Sequence, residues 1–384
     1  MNGKVTAIVF ASLAGFLALG DRYVMSTLYN QLMANYLLTS TVIFSFLFSS
    51  FYLGYTIFQI PGGRIARHFG PSKVIGISLI VWSILFLILP ITKSFVAAIA
   101  IAFFMGLAQG PIFPSVIFLT RLFFKDSQYA RASGIVTAVG DLSPALIPFI
   151  TLGFYYMRVD LALPFLFFGF VGIAAGVILL LLRMSYTSSQ EKVRWSALLG
   201  KRYVMFGISF LIYDYFFYMI FTWYPYFLKE RFAIESNNLL YGPLPWILMA
   251  VGSLVFGLFM DKINRDVLLS EIAYGVIAIT LVGMAVSRSS LMFLAFVIVS
   301  LFFLDPILLA SWRLSTRLGG ENSSSFVGGW MNFWGNIGGI IAPFFVASLI
   351  DIYGISRTFL ISVAVPIIGL VTWIYMARWE PDEK

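Results

Sequence analysis

The chain has 384 residues, 60% of them hydrophobic and 11% charged, with a formal net charge of +8 and no cysteine. Soluble domains carry about 25% charged residues, so this composition, with a mean hydropathy of +0.93, excludes a water-soluble globular protein and points to an integral membrane protein. Disulfides and thiolate metal sites are excluded, and the basic excess by itself suggests nucleic acid or an anionic surface as a partner.

Apolar runs of roughly 20 residues cross a bilayer as helices. Twelve are predicted, near residues 5–30, 38–61, 73–91, 95–123, 128–156, 162–183, 202–228, 239–260, 267–286, 290–314, 324–350 and 356–378. The first lacks a small-residue cleavage site and reads as a mature helix, not a signal peptide. Within it, "GDRYVMS" places Asp21 and Arg22 where lipid is expected. An ionised side chain at that depth costs roughly 2.5–3.5 kcal/mol, so the pair calls for a protein interior or a watery cavity. Turn signals follow in order: "PGGRIARHFGPSK", "FKDSQ", "RVD", "MDKINRD" and "GGENSSS". The longest polar interruption, 184–201, reads as a linker between an N-terminal bundle (1–183) and a C-terminal bundle (202–384), six helices each.

With both termini cytoplasmic, the cytoplasmic segments hold eighteen Lys and Arg residues, the outer segments six, and Arg22 lies within the first helix. That bias obeys the positive-inside rule. The basic balance is thus a topology signal, and no nucleic-acid partner is expected. Two six-helix halves are a common plan for secondary transporters. "GGRIARHFG" after helix two and "GLFMDKINR" after helix eight echo one another, although any tight cytoplasmic turn collects Gly and Arg.

Six stretches in order carry a family resemblance: "GDRYVMS", "YLGYTIFQIPGGRIARHFG", "GLAQGPIFPS", "ARASGI", "DYFFYMIFTWYPYFLKERF" and "GGWMNFWGNIGGIIAPFFVASLID". Together they resemble the major facilitator superfamily, and within it the anion:cation symporters of sugar acids, sialic acid and glutamate. The resemblance covers nearly the whole chain. It implies an all-α membrane protein of twelve transmembrane helices in two pseudo-symmetric six-helix bundles. It also implies that Arg22 holds a substrate carboxylate and Asp21 takes a coupling proton. The sequence departs from the family at Ala102 and Gln109, where an Arg and a Glu are usual, and at Arg67, where an Asp is usual; Asp261 is retained in the second half. Two helical turns separate positions 102 and 109, so the missing charges would share a face and their joint loss orphans neither.

Asp21 and Arg22 are neighbours on a helix and point about 100° apart, so they need not pair with each other. Asp21 sits roughly 8 residues, or 12 Å, from the outer end, too deep for simple snorkelling. Asp141, Asp214 and Asp305 lie inside other apolar helices, each either a structural acid or a proton site. Four membrane acids against one membrane arginine favour proton coupling and weaken a purely anionic substrate reading. Tyr52, Tyr55 and Gln59 share a face of helix two, Tyr215 and Tyr218 a face of helix seven, and Asn332 and Asn336 a face of helix eleven. Such spacing also serves interhelical packing, and Tyr52 reads as packing. The expected substrate-binding set is Arg22, Tyr55, Gln59, Gln109, Tyr218, Asn332 and Asn336. Asp21, Asp141, Asp214 and Asp305 are the expected proton-coupling set. Gly63, Arg67, Arg131, Asp261 and Arg265 sit at cytoplasmic ends, as topology-fixing charges or as gating contacts.

The lone His68 builds no metal site, and there is no P-loop, H-E-x-x-H or G-x-S-x-G motif. No cofactor, metal or enzymatic activity is expected. The expectation is a monomeric, multi-pass cell-membrane symporter that moves a small organic anion, such as a sugar acid, with protons by alternating access. The alternatives are a proton-driven exporter or exchanger of amines, zwitterions or amphipathic compounds and, more remotely, a non-transporting membrane sensor.

Overall fold

The computed structural model describes residues 3–38, 41–124, 126–156, 161–182, 198–234, 238, 240–263 and 265–377. Residues 184–197 of the expected linker lie outside that set, as does the tail from 378. The elements are α1 (Gly3–Thr27), α2 (Tyr29–Asn35), α3 (Thr41–Phe69), α4 (Pro71–Ile88), α5 (Phe95–Gln109), α6 (Ile112–Phe123), α7 (Asp126–Asp141) and α8 (Ser143–Tyr156). They continue with α9 (Ala162–Leu181), α10 (Lys201–Phe232), α11 (Leu244–Ile263), α12 (Asp266–Val286), α13 (Ser290–Phe302), α14 (Asp305–Ser362) and α15 (Ala364–Ala377). No strand occurs among the described residues.

The helices bury their few polar side chains among apolar ones and keep their outward faces apolar. On α4 the outward stripe is Ile77, Val81, Ile84 and Ile88, each at least 44% exposed, while Ser78, Trp82 and Ser83 are buried. Spacings of four, three and four residues put that stripe on one helix face, and such a surface suits hydrocarbon, not water. Among the described residues, ten helical stretches are long and apolar enough to cross a membrane, one of them the 51-residue Phe326–Met376. Within that stretch Gly354 takes φ 76°, a conformation glycine adopts without steric penalty. The 29-residue α3 adds a further helix of spanning length, and the whole is consistent with twelve crossings.

Several boundaries differ from the sequence expectation, among them those after helices two and ten. α3 runs through Pro61 to Phe69: the proline removes one backbone donor, but in lipid the remaining N–H groups have no partner except the helix itself. Gly70, at φ 92°, then makes the turn. The backbone of Gly319–Ser325, expected as a turn, is helical. α14 is nevertheless not one rod. Leu308 and Asn336 would stand roughly 42 Å apart on a straight helix, yet both line one cavity, so the chain doubles back between Trp312 and Asn332.

Within the first half α1 packs on α7, α3 on α5 and α4 on α9; within the second, α10 packs on α14, α11 on α13 and α12 on α15. Two seams join the halves, α3 and α6 against α14 and α7 against α11. The second is a backbone contact. A Cβ on Gly134 would lie 2.6 Å from the Ser253 carbonyl oxygen, and one on Gly257 would lie 3.0 Å from that of Ala130.

Candidate functional site

Close approach of α3 and α5 sets the site. A Cβ on Gly54 would come within 2.1 Å of the Phe103 carbonyl oxygen, and one on Gly106 within 2.0 Å of that of Phe51. Without these glycines the two helices could not bring Tyr55 and Gln109 to one place. Arg22 of α1, 1% exposed, fills that place. Its Nε donates to Gln109 Oε1 at 3.0 Å, its Nη2 to the same atom at 2.6 Å, and its Nη1 to the Tyr218 hydroxyl of α10 at 2.9 Å. The guanidinium carbon also lies 4.9, 5.5 and 4.5 Å from the ring centres of Phe51, Tyr52 and Tyr55, within cation–π range. Among the described residues no carboxylate forms a salt bridge with it.

Arg22, Tyr55, Asp141, Asp214, Tyr218, Asn332 and Asn336 surround one cavity between the halves. Its volume is about 70 Å³, enough for a few waters at about 10–15 Å³ each. Asn332 and Asn336 donate their amide hydrogens to carbonyls one turn back, at Gly328 and Asn332. Asn336 Oδ1 is left buried without a partner. Asp214, 8% exposed, makes no hydrogen bond or ion pair among the described residues. The wall therefore combines one cation with several acceptors. No cluster of three or more metal-ligating side chains occurs among the described residues.

Contacts between the halves occur on both sides of this cavity. Away from the chain termini, Tyr23 of α1 meets Phe221 and Trp246 at ring-centre distances of 5.0 and 5.9 Å. Towards the termini, the Arg131 backbone N–H donates to Asp261 Oδ2 at 3.0 Å. Asp261 and Asp266 both take Arg313, at 3.0 and 2.8 Å. The Arg131 side chain is exposed, as is Arg265, whereas Gly63 and Arg67 are buried at the end of α3.

Asp21 turns away from the cavity. Its Oδ2 accepts a hydrogen bond from Trp82 Nε1 of α4, and its Oδ1 is buried without a partner. Gln59 is fully buried one turn below Tyr55, outside the cavity lining, and both its amide atoms lack partners. Asp141 and Asp305 converge on one hydroxyl, Ser253 Oγ, at 2.8 and 2.6 Å. The sequence reading did not single out Phe51, Trp82 or Ser253. A serine in an apolar helix carries no pattern of its own, and aromatic residues make up 18% of this chain.

A family model, "Major Facilitator Superfamily", matches residues 11–343. The hexuronate transporter of Bacillus subtilis (strain 168) is 24% identical to this chain, over 98% of the chain and 95% of the relative. The probable sulfoacetate transporter SauU of Cupriavidus necator is 24% identical over 88% of this chain and 86% of its own. The probable galactarate/D-glucarate transporter GudP of Escherichia coli (strain K12) is 23% identical over 95% and 91%. In fold, the chain is similar to the crystal structure of the human organic anion transporter MFSD10 (TETRAN), with TM-score 0.79 and 12% identity over 97% of this chain and all of that one. With its helices, its two seams and a cavity between its halves, this chain belongs to the Major Facilitator Superfamily.

Proposed function

We propose that this membrane transporter is a proton-coupled symporter carrying a small organic anion, a sugar acid or similar hydroxy acid, by alternating access. Arg22 carries the reading: a buried guanidinium on the cavity wall with no ion-paired carboxylate among the described residues. Three of its N–H groups are engaged by Gln109 and Tyr218. One remains on each Nη, a two-pronged match for a carboxylate. The substrates in the relatives' names, hexuronate, sulfoacetate and galactarate or D-glucarate, are organic acids and support an anion at this point. The free acceptors of Asp214 and Asn336 complement hydroxyl groups and disfavour a second carboxylate beside them.

In the proposed cycle the halves, 1–183 and 202–384, part on the outer side and the carboxylate docks on Arg22 while Asp21 is protonated. Reopening towards the cytoplasm, the side of both termini, wets the site, and substrate and proton leave. Coupling requires that each ligand favour the other's bound conformation. Gly63, Arg67, Arg131, Asp261 and Arg265 form the cytoplasmic gate in this scheme, and the carrier works as a monomer in the cell membrane.

The test is thermal unfolding of the detergent-purified protein across sugar acids, other carboxylates, amines and neutral sugars, alongside Arg22→Ala. A ligand that binds only the folded state stabilises it by about 2.7 kcal/mol at one hundred times Kd. The expected result is stabilisation by hydroxy acids that vanishes in the variant. Stabilisation by amines that survives in the variant would overturn the reading in favour of an amine or zwitterion carrier.

A further inference from the structure

Ser253 Oγ lies within hydrogen-bond distance of Asp141 Oδ2 (2.8 Å) and Asp305 Oδ2 (2.6 Å). A serine hydroxyl has one hydrogen to give, and an ionised carboxylate only accepts. Two such short contacts on one oxygen are both hydrogen bonds only if a carboxyl supplies the second hydrogen. We infer that Asp141, Ser253 and Asp305 form a proton-binding site, in which one proton is held by the two carboxyls across the shared hydroxyl.

The surroundings fit that ligand. Asp141 and Asp305 are 4% and 0% exposed, and neither forms a salt bridge among the described residues. Asp305 Oδ1 is buried with no partner at all, an arrangement far less costly for a neutral acid than for an anion. A third carboxyl, Asp214, faces the same cavity as Asp141 without a hydrogen bond, so further negative charge opposes ionisation of both acids together. The other ionisable groups facing that cavity are Tyr213 on α10 beside Asp214, Tyr218, Tyr55 and Arg22. Arg22 is engaged by Gln109 and Tyr218. On the helices of the three residues the nearest charges towards the termini are Arg131, Asp261 and Arg313, two or more turns away; Asp261 takes the Arg313 guanidinium and the Arg131 backbone N–H.

Position gives the site a role. Asp141 belongs to the first half, and Ser253 and Asp305 to the second. The trio sits at the cavity end of the α7–α11 seam, beside the Gly134–Ser253 backbone contact. Opening this seam parts Asp141 from Ser253, breaks the shared hydrogen bond and admits water. The acid O–H is then cleaved to carboxylate and H⁺, and the proton passes to water on that side. Reprotonation restores the acid when the seam recloses. This deepens the proposed proton coupling, adding a proton site on the moving interface to that of Asp21.

Two measurements test it. Infrared difference spectroscopy of the whole purified protein between acid and alkaline buffer reads protonated carboxyls without requiring transport. A C=O band of an acid strongly hydrogen-bonded to the hydroxyl is expected, lost in both Asp141→Asn and Asp305→Asn and shifted in Ser253→Ala. If no band is lost in either Asn variant, the shared proton does not exist. Reversal potentials in proteoliposomes, with an organic acid that stabilises the protein, then count protons per substrate. Asp305→Asn is expected to lower that number by one, with carboxylate stabilisation retained, and an unchanged count would overturn the coupling role. If wild-type transport ignored the pH gradient, the symport reading would fail, while the infrared band would still decide whether the pair holds a proton.

Discussion

Arg22 gives two hydrogen bonds to a single atom, Oε1 of Gln109, at 3.0 and 2.6 Å. A neutral amide in that position orients the guanidinium without neutralising it, so the positive charge stays available to a ligand. Replacement by a carboxylate would supply a permanent counter-ion. Gln109→Glu is predicted to weaken carboxylate binding roughly tenfold or more at alkaline pH, about 1.4 kcal/mol. As pH falls the new glutamate protonates and again resembles glutamine, so affinity should recover towards wild type. Thermal-shift titrations at several pH values check both the loss and its sign.

The Trp82–Asp21 bond joins α4 to α1. Trp82→Phe leaves Asp21 Oδ2 without that donor in a buried setting, a change predicted to destabilise by about 1–3 kcal/mol. The two positions are in contact, so a double-mutant cycle with Asp21→Asn should show coupling well above additivity. Additive losses in unfolding midpoint would mean that the bond contributes nothing.

Gly54→Ala would put a methyl 2.1 Å from the Phe103 carbonyl oxygen, whereas Gly153 and Gly275 have nothing within 4 Å of a built Cβ. The first substitution must separate α3 from α5 and is predicted to cost about 1–3 kcal/mol or more, and to weaken ligand binding as Gln109 moves off Arg22. Gly275→Ala is the control and should be neutral or slightly stabilising. Unfolding midpoints of the three proteins make the comparison.

Arg313 is held by two buried acids, Asp261 and Asp266. Arg313→Ala leaves both without that cation and is predicted to destabilise by about 3–5 kcal/mol. Asp261→Asn keeps an acceptor for the Arg131 N–H and leaves Arg313 paired to Asp266. Its effect should be small on stability and visible instead in transport rate, as a weakened contact between the halves. Equal losses of stability in both variants would assign the cluster to folding alone.

Much of this architecture was legible because hydrocarbon imposes it: apolar runs of fixed length, basic loops and a buried Asp-Arg pair leave few alternatives. Helical spacing was informative for Asn332 and Asn336, which line the cavity together with Arg22, whereas Tyr55 lines it without Tyr52 or Gln59 and Tyr218 without Tyr215. Rotation about the helix axis was not legible for Gln59, which falls outside the lining, nor for Asp21, which finds a tryptophan 61 residues away. Ser253 illustrates the remaining gap. Its importance lies in three helices crossing at one point, and no local pattern in the chain encodes a crossing.

Asp21 and Arg22 share one stretch of helix yet are anchored on different faces, Asp21 to Trp82 of α4 and Arg22 to Gln109 of α5 and, across the cavity, to Tyr218 of the second half. α1 is therefore a shaft with a lever fixed on each of two faces. An axial turn of α1 that moves Arg22 moves Asp21 with it, so a pull at the ligand end reaches the acid through one helix, with no relay of intervening side chains.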